Sequence, residues 1–468
     1  MKEKTYHITT ELLQSISASQ AHSYRIVPVK SGSSLTFITD SAELSNLQQE
    51  LQIVLGKKVI LELELTHIID NYLQKHYRKV QKQKGSSLVY SKDFLLHIIH
   101  EAKGIGSSDI HFEAYEKQNR VRFRIDGKLI ERYIVLKDEY PKIINRIKIM
   151  AGLDIAEKRL PQDGRINLTT DMEDFDIRVS SLPTLYGEKL VLRILSKNNT
   201  TVALANLGFT QKELQLYKNY VKKAQGMVLI SGPTGSGKTT TLYATLKLLN
   251  NKDTNILTIE DPIEYTLDGV NQVQLKENIG LNFASTLRTF LRQDPDIIMV
   301  GEIRDVNTAN MAIRAALTGH LVLSSIHTNS AWATISRLID MDIPPFLIAS
   351  TLNISVAQRL VRKLCESCKQ KASDNIANTQ KNILYINNIT KHYMAVGCYQ
   401  CHYTGYKGRK AIYEIIPITK DLTEKIKNKE SNIDNYLQKN HITTLKKNAI
   451  ALVAEGVTSV NEVYSLLL

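Results

Sequence analysis

The chain has 468 residues, more than one ordinary hydrophobic core organises, so we expect about two to four domains. Hydrophobic residues make up 43% and charged residues 23% of it, as is typical of a soluble globular protein. The longest apolar runs, such as Ile297-Ile298-Met299-Val300, fall far short of the roughly 18 residues of a membrane span. Met1 to Lys4 leads into polar residues where a signal peptide would have an apolar segment. We therefore expect a cytoplasmic protein without a membrane-spanning helix.

The net charge of +13 admits two interpretations. An excess of cations serves binding to nucleic acid or to an anionic membrane surface, or else it is spread over solvated faces. The 60 lysines and arginines are scattered, which favours solvated faces. One clear basic cluster precedes Gly85-Ser86-Ser87 and predicts a basic linker over residues 75–87; it contains Lys75, Arg78, Lys79, Lys82 and Lys84.

Residues 1–74 predict a small α/β module. Segments 24–29 and 34–39 are rich in strand-forming residues. Apolar residues recur at helical spacing in 41–55 and in 64–76.

Residues 88–203 predict a second domain, of α+β type. Apolar residues from Phe94 to Ala102 step along one face of a helix. Strand signals follow at 121–125, 176–180 and 191–195, and Asp126-Gly127 predicts a tight turn after the first of them.

Residues 204–468 predict an α/β domain, because strand and helix signals alternate there and alternation is typical of a parallel sheet covered by helices. After about residue 415 the pattern becomes helical. The short apolar strands are predicted at 227–230, 255–259, 296–300 and 321–325.

A phosphate-binding loop follows the first of these strands and precedes a helix predicted from Thr239 to Leu249. Its glycines allow backbone N–H groups to approach phosphate oxygens, while Lys238 would reach the β- and γ-phosphates of ATP and Thr239 would ligate Mg²⁺. A glycine-rich turn without a ligand is the alternative, which the complete motif in the required context disfavours. The nucleotide-binding residues assigned here are Gly232, Pro233, Thr234, Gly235, Ser236, Gly237, Lys238, Thr239 and Thr240.

Two carboxylates follow apolar strands, where an acid for phosphoryl transfer belongs. Glu302 ends the strand at 296–300 after a glycine, and we assign it as the general base or water-orienting residue. Glu260 follows the strand at 255–259 and would help to hold Mg²⁺ or its waters, although Glu260 and Asp261 also fit a solvated loop.

Two histidines bracket the strand at 321–325. His327 is either a γ-phosphate sensor or a structural residue, and His320 is expected to be structural.

Four cysteines lie in two closely spaced pairs, Cys365-x-x-Cys368 and Cys398-x-x-Cys401. Four thiolates suffice for a closed tetrahedral Zn²⁺ site, which is structural because it leaves no open coordination position. The alternatives are a redox pair and a buried cluster without metal. We expect the zinc site to staple residues 364–405.

Residues 100–415 closely resemble the secretion and pilus-assembly ATPases of the GspE/PilB group. Seven ordered blocks carry the resemblance, besides the phosphate loop: 107–113 and 161–165, an "Asp box" at 258–265, the segment 287–296 leading into a Walker B block at 301–305, a "His box" running from 317–320 to 327–329, residues 357–360, and the cysteines. Residues 1–74 resemble only the last segment of the longer N-terminal part of many members. Ser325 stands where the family often has threonine, a change that keeps the hydroxyl.

This resemblance implies a RecA-like P-loop domain in a ring homohexamer that hydrolyses ATP with Mg²⁺. Its partners would be inner-membrane platform and docking proteins, through which it associates with the cytoplasmic face of that membrane. It also implies that Arg178 and Arg193 of the second domain reach phosphate, although each arginine also fits a bland surface pair. Further family arginines near the site or its contacts match Arg288, Arg292, Arg304 and Arg409.

The function predicted first is a motor for pseudopilus assembly in type II secretion. Type IV pilus extension and DNA-uptake pili use the same engine, and the cysteine element indicates the extension or secretion branch over retraction. A nucleic-acid translocase and a non-hydrolysing scaffold are the competing classes. No basic strip with interleaved aromatic residues supports nucleic-acid binding, so none is expected.

Overall fold

The computed structural model describes most of the chain, which forms two compact units, Met1–Ile194 and Leu195–Leu468. The described residues are 18–32, 34–77, 86–88, 93–169, 174–195, 203–372 and 391–467, with single residues before 18 and at 90 and 91. The basic cluster over 78–84 lies outside them.

The first unit begins with a small three-stranded sheet of order β1-β2-β3, in which β1 and β2 are antiparallel and β2 and β3 parallel. Its core contains Ile26, Phe37 and Ile69. The expected strands and helices are present, but β3 was not predicted, because its five residues, which include Glu62, are too few for a periodicity that separates strand from helix. The elements are α1 (Ala18–Ser23), β1 (Ile26–Ser31), β2 (Leu35–Thr39), α2 (Leu44–Leu55), β3 (Val59–Leu63) and α3 (Thr66–His76).

A seven-stranded sheet of order β4-β7-β6-β5-β10-β9-β8 makes up the rest of this unit. Its apolar face packs on two helices, as the predicted α+β pattern requires. At the predicted turn, Asp126 and Gly127 both have positive φ, of 48° and 84°, which matches the twist of a two-residue hairpin. The elements are β4 (Ser86–Leu88), α4 (Phe94–Gly104), β5 (Ser107–Glu113), β6 (Asn119–Ile125), β7 (Lys128–Val135), α5 (Tyr140–Met150), β8 (Gln162–Thr169), β9 (Asp174–Thr184) and β10 (Gly187–Leu195).

The opposite face of this sheet carries charged side chains around two buried acids of β5, Asp109 and Glu113. Glu113 forms ion pairs with Arg122 at 2.6 Å, Arg120 at 3.1 Å and Lys189 at 3.2 Å. Burial alone would raise the pKa of Glu113, but hydrogen bonds from these three cations outweigh it and hold the pKa at about 2.

The second unit is built on a seven-stranded sheet of order β13-β12-β14-β15-β11-β16-β19. The neighbouring strands from β13 to β16 are parallel, and β16 and β19 are antiparallel. Separate apolar clusters cover its two faces, which explains why the central strands β14, β15 and β11 are mostly apolar. The strands are β11 (Gly226–Ser231), β12 (Ile256–Glu260), β13 (Asn271–Gln274), β14 (Ile297–Val300), β15 (Leu321–Ile326), β16 (Leu352–Leu364) and β19 (Tyr406–Pro417), and β17 (Gln370–Lys371) pairs separately with β18 (Tyr393–Met394).

The helices of this unit include the one expected after the phosphate loop and those expected after residue 415. The long pair β16 and β19 was not predicted, since Gln358 to Lys363 carries mixed polar and apolar residues without a strand-like alternation. The helices are α6 (Gln211–Val221), α7 (Lys238–Leu249), α8 (Phe283–Phe290), α9 (Val306–Leu317), α10 (Ala333–Asp340), α11 (Pro345–Thr351), α12 (Lys420–Lys427), α13 (Asp434–Lys439), α14 (Leu445–Ala454) and α15 (Val460–Leu467).

Across the described part of the chain, no helix combines the length and the apolar character needed to cross a bilayer.

The Glu113 cluster generates a pH prediction. Because the folded-state pKa lies below the usual value of 4.5, ionised Glu113 stabilises the fold above about pH 4.5, and this contribution is lost as the pH falls toward 2. Glu113→Gln should therefore melt well below the wild type at pH 7, and the gap should close toward pH 3. Glu116→Gln, at an exposed site in the next loop, serves as the control. A gap that is independent of pH in thermal melts would contradict the assignment.

Candidate nucleotide and metal sites

The phosphate loop links β11 to α7 at the carboxyl edge of the parallel sheet. Gly237 has φ of 88°, in the left-handed region, and a Cβ there would lie 2.8 Å from Gln358 Nε2. At Gly232 a Cβ would lie 2.5 Å from the carbonyl oxygen of Gln358. Both positions exclude a side chain, which gives the glycines of the motif a steric reason in this fold.

Lys238 lies inside the curl of the loop and is 9% exposed. Its ammonium group donates to the carbonyls of Gly232 at 2.8 Å and Pro233 at 3.2 Å. Burial lowers the pKa of Lys238, and the nearby charge of Glu302 opposes that shift. The loop therefore holds a cation at the centre of a ring of backbone groups, beside the acid predicted as the base.

Thr239 and Thr240 are exposed at the beginning of α7, directly after Lys238. A hydroxyl in this place, with the positive end of the helix dipole behind it, fits the Mg²⁺ ligand predicted at Thr239.

Gln358 and Arg359 on β16 support the phosphate loop. The sequence predicted no role for either residue. Gln358 is buried, donates from Nε2 to the carbonyl of Ser236 at 2.9 Å and accepts from Thr241 at 2.9 Å. Arg359 donates from Nη1 to the carbonyl of Gln358 at 3.0 Å. Parallel pairing of β16 with β11 brings them to the loop, a long-range contact for which the sequence contains no local signal.

Glu302 lies at the end of β14, where its carboxylate contacts two basic side chains. One oxygen accepts a hydrogen bond from Arg304, and the other lies 3.3 Å from His327 Nε2. Arg304 also lies 3.5 Å from Asp261. The structure thus brings Arg304 and His327 to the Glu302 carboxylate, whose charge also acts on Lys238.

The turn that carries Glu302 is fixed by Ser325. Ser325 Oγ donates to the carbonyl of Gly301 at 2.8 Å, and the Ile303 amide donates to the Ser325 carbonyl at 2.9 Å. The side-chain hydroxyl of Ser325 therefore helps to fix the position of Glu302.

Glu260 is 3% exposed and is already hydrogen-bonded within the domain. Tyr243 donates to one carboxylate oxygen, while Thr258 at 2.6 Å and Gln272 at 3.1 Å donate to the other. Oε2 accepts from Tyr243 alone among these donors, so it keeps a lone pair for Mg²⁺ or for one of its waters. The solvated-loop alternative is wrong for this residue, because it is buried.

His320 is structural, as expected: its Nδ1 lies 2.8 Å from the carbonyl of Ala315 at the end of α9. His327 is half-exposed, and its Nε2 lies 3.3 Å from a carboxylate oxygen of Glu302.

The four arginines of the second unit that the resemblance singled out lie in different parts of the unit. Arg288 and Arg292 are exposed at and just beyond the end of α8, and Arg292 donates to the Arg288 carbonyl at 3.2 Å. Arg409 pairs with Arg362 across β19 and β16, three residues along β16 from Arg359, which corresponds to about 10 Å. Of these family arginines, Arg304 is the one that contacts Glu302.

Arg178 and Arg193 belong to the first unit and lie on the neighbouring strands β9 and β10. Arg193 donates from Nε to Asp109 at 2.9 Å, and its side chain remains largely exposed. Both arginines lie on the charged face of the sheet, because the residues on either side of each one are buried in the core. These neighbours are Ile177, Val179, Leu192 and Ile194.

The four cysteine sulfurs lie within 4.8 Å of one another. The pairs Cys365–Cys398, Cys368–Cys401 and Cys398–Cys401 are each 3.8 Å apart. Four sulfurs at about 2.3 Å from a central Zn²⁺ lie about 3.8 Å apart along the edges of the tetrahedron, so the donors fit the ion.

Backbone amides surround these sulfurs, as a thiolate site needs. The Cys398 amide donates to Cys401 Sγ at 3.1 Å, and the Gly397 amide donates to Cys368 Sγ at 3.3 Å. Burial and the neighbouring Cys401 sulfur raise the pKa of the Cys368 thiol, an effect that a bound cation would reverse.

The cysteine element is attached to the C-terminal helices. Tyr406 bonds Ser459 at 2.6 Å, and Arg362 pairs with Glu462 of α15 at 2.5 Å while stacking on the Tyr406 ring. The Leu364 amide donates to the Val457 carbonyl at 2.8 Å. Ordering of the element by metal should therefore also stabilise α14 and α15.

We predict about one zinc ion per chain, released by a strong chelator or by Cys368→Ser. Loss of the ion should lower the melting temperature and make α14 and α15 protease-sensitive, while ATP affinity changes little. Glu366→Gln, at an exposed site of the same element, should keep the ion. A metal-free protein with unchanged melting and proteolysis would contradict a structural role.

Comparison with known proteins assigns the chain to a family. The model of the family described as type II/IV secretion system protein matches residues 83–465. The type IV pilus assembly ATPase PilB of Myxococcus xanthus is 48% identical over 368 residues, 76% of this chain and 64% of that protein. The putative type II secretion system protein E of Escherichia coli K12 is 46% identical over 368 residues, 78% of this chain and 74% of that protein. The chain thus spans just under two thirds of the length of the PilB relative.

Solved structures share the fold. The Legionella pneumophila ATPase DotB superposes with a TM-score of 0.61 at 19% identity, over 81% of this chain and 97% of that chain. The pilus retraction motor PilT with bound ADP gives 0.54 at 24% identity, over 79% and 96%. These likenesses confirm the predicted α/β ATPase fold.

Because the family model covers most of the chain and the relatives approach half identity, the chain belongs to the type II/IV secretion system proteins, a family of secretion and pilus-assembly ATPases, as the ordered sequence blocks predicted.

Proposed function

We propose that this chain is a hexameric motor that hydrolyses ATP to assemble the pseudopilus of a type II secretion system at the cytoplasmic face of the inner membrane. The observation that carries the proposal is the carboxyl edge of the parallel sheet, where Lys238 lies inside the phosphate loop after β11 and Glu302 follows β14 in contact with His327. Relatives named type II secretion system protein E support the choice of machine. The partners would be the platform and docking proteins of that machine, through which the chain would associate with the membrane.

In this proposal the loop from Gly232 to Thr240 binds the phosphates of ATP. Lys238 would exchange its loop carbonyls for phosphate oxygens, a short movement because its ammonium group already lies inside the curl. Bound Mg²⁺, with Thr239 as its ligand and Glu260 on its waters, would neutralise phosphate charge.

Glu302 would orient the attacking water and take up its proton. Arg304 and His327 each contact one of its oxygens, so a lone pair on either oxygen remains to accept from the attacking water. The His327 contact is the longer of the two, so His327 is the better candidate to turn from Glu302 toward phosphate. Hydrolysis would then be tied to the arrival of phosphate at His327.

Arginines would supply the remaining positive charge. Arg178 and Arg193, on the charged face of the first unit, are proposed to reach phosphate. The further arginines proposed to act at the site or its contacts are Arg288, Arg292, Arg304 and Arg409, of which Arg409 is better placed to support the cysteine element. Zn²⁺ is proposed as the structural ion of that element.

Extension of a type IV pilus is the second candidate, and the 48% identity to a PilB protein favours it specifically. DNA-uptake pili would use the same engine. These machines would differ in the partner proteins that the motor binds.

The catalytic assignment predicts the behaviour of two variants. Glu302→Gln should lower ATP turnover about 10²- to 10⁴-fold with little change in ATP affinity, because the amide cannot accept the proton. Lys238→Ala should abolish ATP binding. Steady-state hydrolysis and equilibrium titration with a fluorescent ATP analogue measure both.

Normal turnover in Glu302→Gln would remove the base assignment, and normal turnover in Lys238→Ala would remove the motor. A scaffold that does not hydrolyse ATP would show no turnover in the wild type. A nucleic-acid translocase would be stimulated by DNA in a steeply salt-dependent manner, and no stimulation is expected here.

The choice of machine can be tested in the cell. Replacing the chromosomal copy by Lys238→Ala should abolish release of exoproteins into the medium and leave surface pili intact, because a motor without ATP binding cannot assemble the pseudopilus. Immunoblots of the medium and sheared pili provide the measurement. Loss of pili with normal secretion would assign the chain to pilus extension.

A further inference from the structure

Arg359 has no part in the chemistry described so far, yet it is a buried cation next to the phosphate loop. It is 9% exposed, and every hydrogen bond described for its guanidinium goes to a backbone carbonyl. Nη1 donates to Gln358 at 3.0 Å, and Nη2 donates to Asn329 at 3.0 Å with Thr328 at 3.5 Å. Burying a charge without a directly bonded counter-ion is costly, so a purely space-filling role would be served better by an apolar residue.

The carbonyls that Arg359 binds through Nη2 belong to the turn directly after His327. This turn, residues 328–331, is fixed at several further points. Ser355 Oγ on β16 donates to the Ala331 carbonyl at 2.7 Å, and Ser231 Oγ at the end of β11 lies 3.4 Å from the Ser330 carbonyl. The turn is therefore held by β11, which leads into the phosphate loop, and by its neighbour β16.

A second buried charge holds the same turn from its other end. Glu414 on β19 is 5% exposed and accepts from the Ala331 amide at 2.8 Å and from the Leu445 amide, at the start of α14, at 3.2 Å. Arg359 binds carbonyls of the turn while Glu414 binds one of its amides. The two charges are thus joined through the backbone that follows His327.

Arg359 also touches the beginning of the phosphate loop. A Cβ built on Gly232 would lie 3.2 Å from Arg359 Nη1, so the guanidinium lies directly beneath that glycine. One planar group thus contacts the floor of the loop and the turn of the sensor histidine.

We propose that Arg359 is a positioning residue for ATP hydrolysis, which holds the turn at 328–331 in a fixed place relative to the phosphate loop and so sets His327, and through it Glu302, against the bound phosphate. The inference rests on the proposed ATPase function. It depends on the fork of the guanidinium, whose separate N–H groups reach carbonyls on β16 and on the turn together. A lysine keeps the charge but cannot span both with a fixed geometry.

Arg359→Lys tests this role by steady-state kinetics and by ATP titration. We expect kcat to fall at least about tenfold, because a displacement of about 1 Å at a catalytic group costs up to about a hundredfold in rate. KM and the Kd for ATP should change less than about threefold, since the loop itself is held by Gln358. Arg362→Lys, three residues along the same strand and paired with Glu462, is the matched control and should keep wild-type kcat.

A double-mutant cycle with His327→Ala separates positioning from a general structural effect. If Arg359 acts through the turn, the double variant should have kcat within about twofold of His327→Ala alone. A purely structural effect would multiply the two losses. If Arg359→Lys does not fold, Ser355→Ala weakens the same turn without removing a charge and should lower kcat about threefold at constant KM.

Unchanged kcat in Arg359→Lys, an equal loss in Arg362→Lys, multiplied losses in the cycle, or normal kcat in Ser355→Ala where Arg359→Lys does not fold would each overturn the inference. The wild type and Glu302→Gln are measured in parallel. Absence of wild-type hydrolysis would reject the proposed function, whereas wild-type hydrolysis lost in Glu302→Gln with a normal Arg359→Lys would reject only the role of Arg359.

Discussion

Parallel hydrogen bonding among β12, β14, β15 and β11 is the constraint on which the candidate site depends. Strands that run in the same direction end at the same edge, so residues that are far apart in the chain follow one another across a few ångströms of sheet. The phosphate loop follows β11, Glu302 follows β14 and His327 follows β15. Glu302 and His327 are far from Lys238 in sequence, and the pairing of β14, β15 and β11 brings the ends of their strands to the same edge.

The pairing of β16 with β11 further fixes the position of the phosphate loop. Gln358 and Arg359 on β16 hold the loop and the turn after His327 through hydrogen bonds to backbone groups. These side chains have little freedom, since each is buried and each is hydrogen-bonded to a backbone carbonyl. These hydrogen bonds make the base of the site rigid, whereas the side chains of Thr239 and His327 are exposed. A rigid base with exposed polar side chains suits an enzyme that must bind ATP and release its products.

The cysteine element and the charged face of the first unit show how this chain is stabilised away from its apolar cores. The four sulfurs at tetrahedral spacing organise the cysteine element, which anchors α14 and α15 through Arg362, Tyr406 and Leu364. On the first unit, Glu113 compensates three cations on one sheet face. In both places polar groups at fixed spacing stabilise the fold where apolar packing is absent. Their partners can be identified only once the strands are paired.

The sequence alone determined the P-loop, its flanking strand and helix, the acids at strand ends, the cysteine pairs and the family, because each is a local pattern with its own spacing. It also located Glu302, since a carboxylate after an apolar strand and a glycine can only lie at a sheet edge. Only the tertiary structure decided that Glu260 is buried behind Tyr243 and Gln272, that Arg409 lies farther along the β16 and β19 pair, and that Arg359 lies beneath Gly232. Those placements depend on strand order and register, which arise from contacts between separate segments and leave no periodic pattern in the sequence.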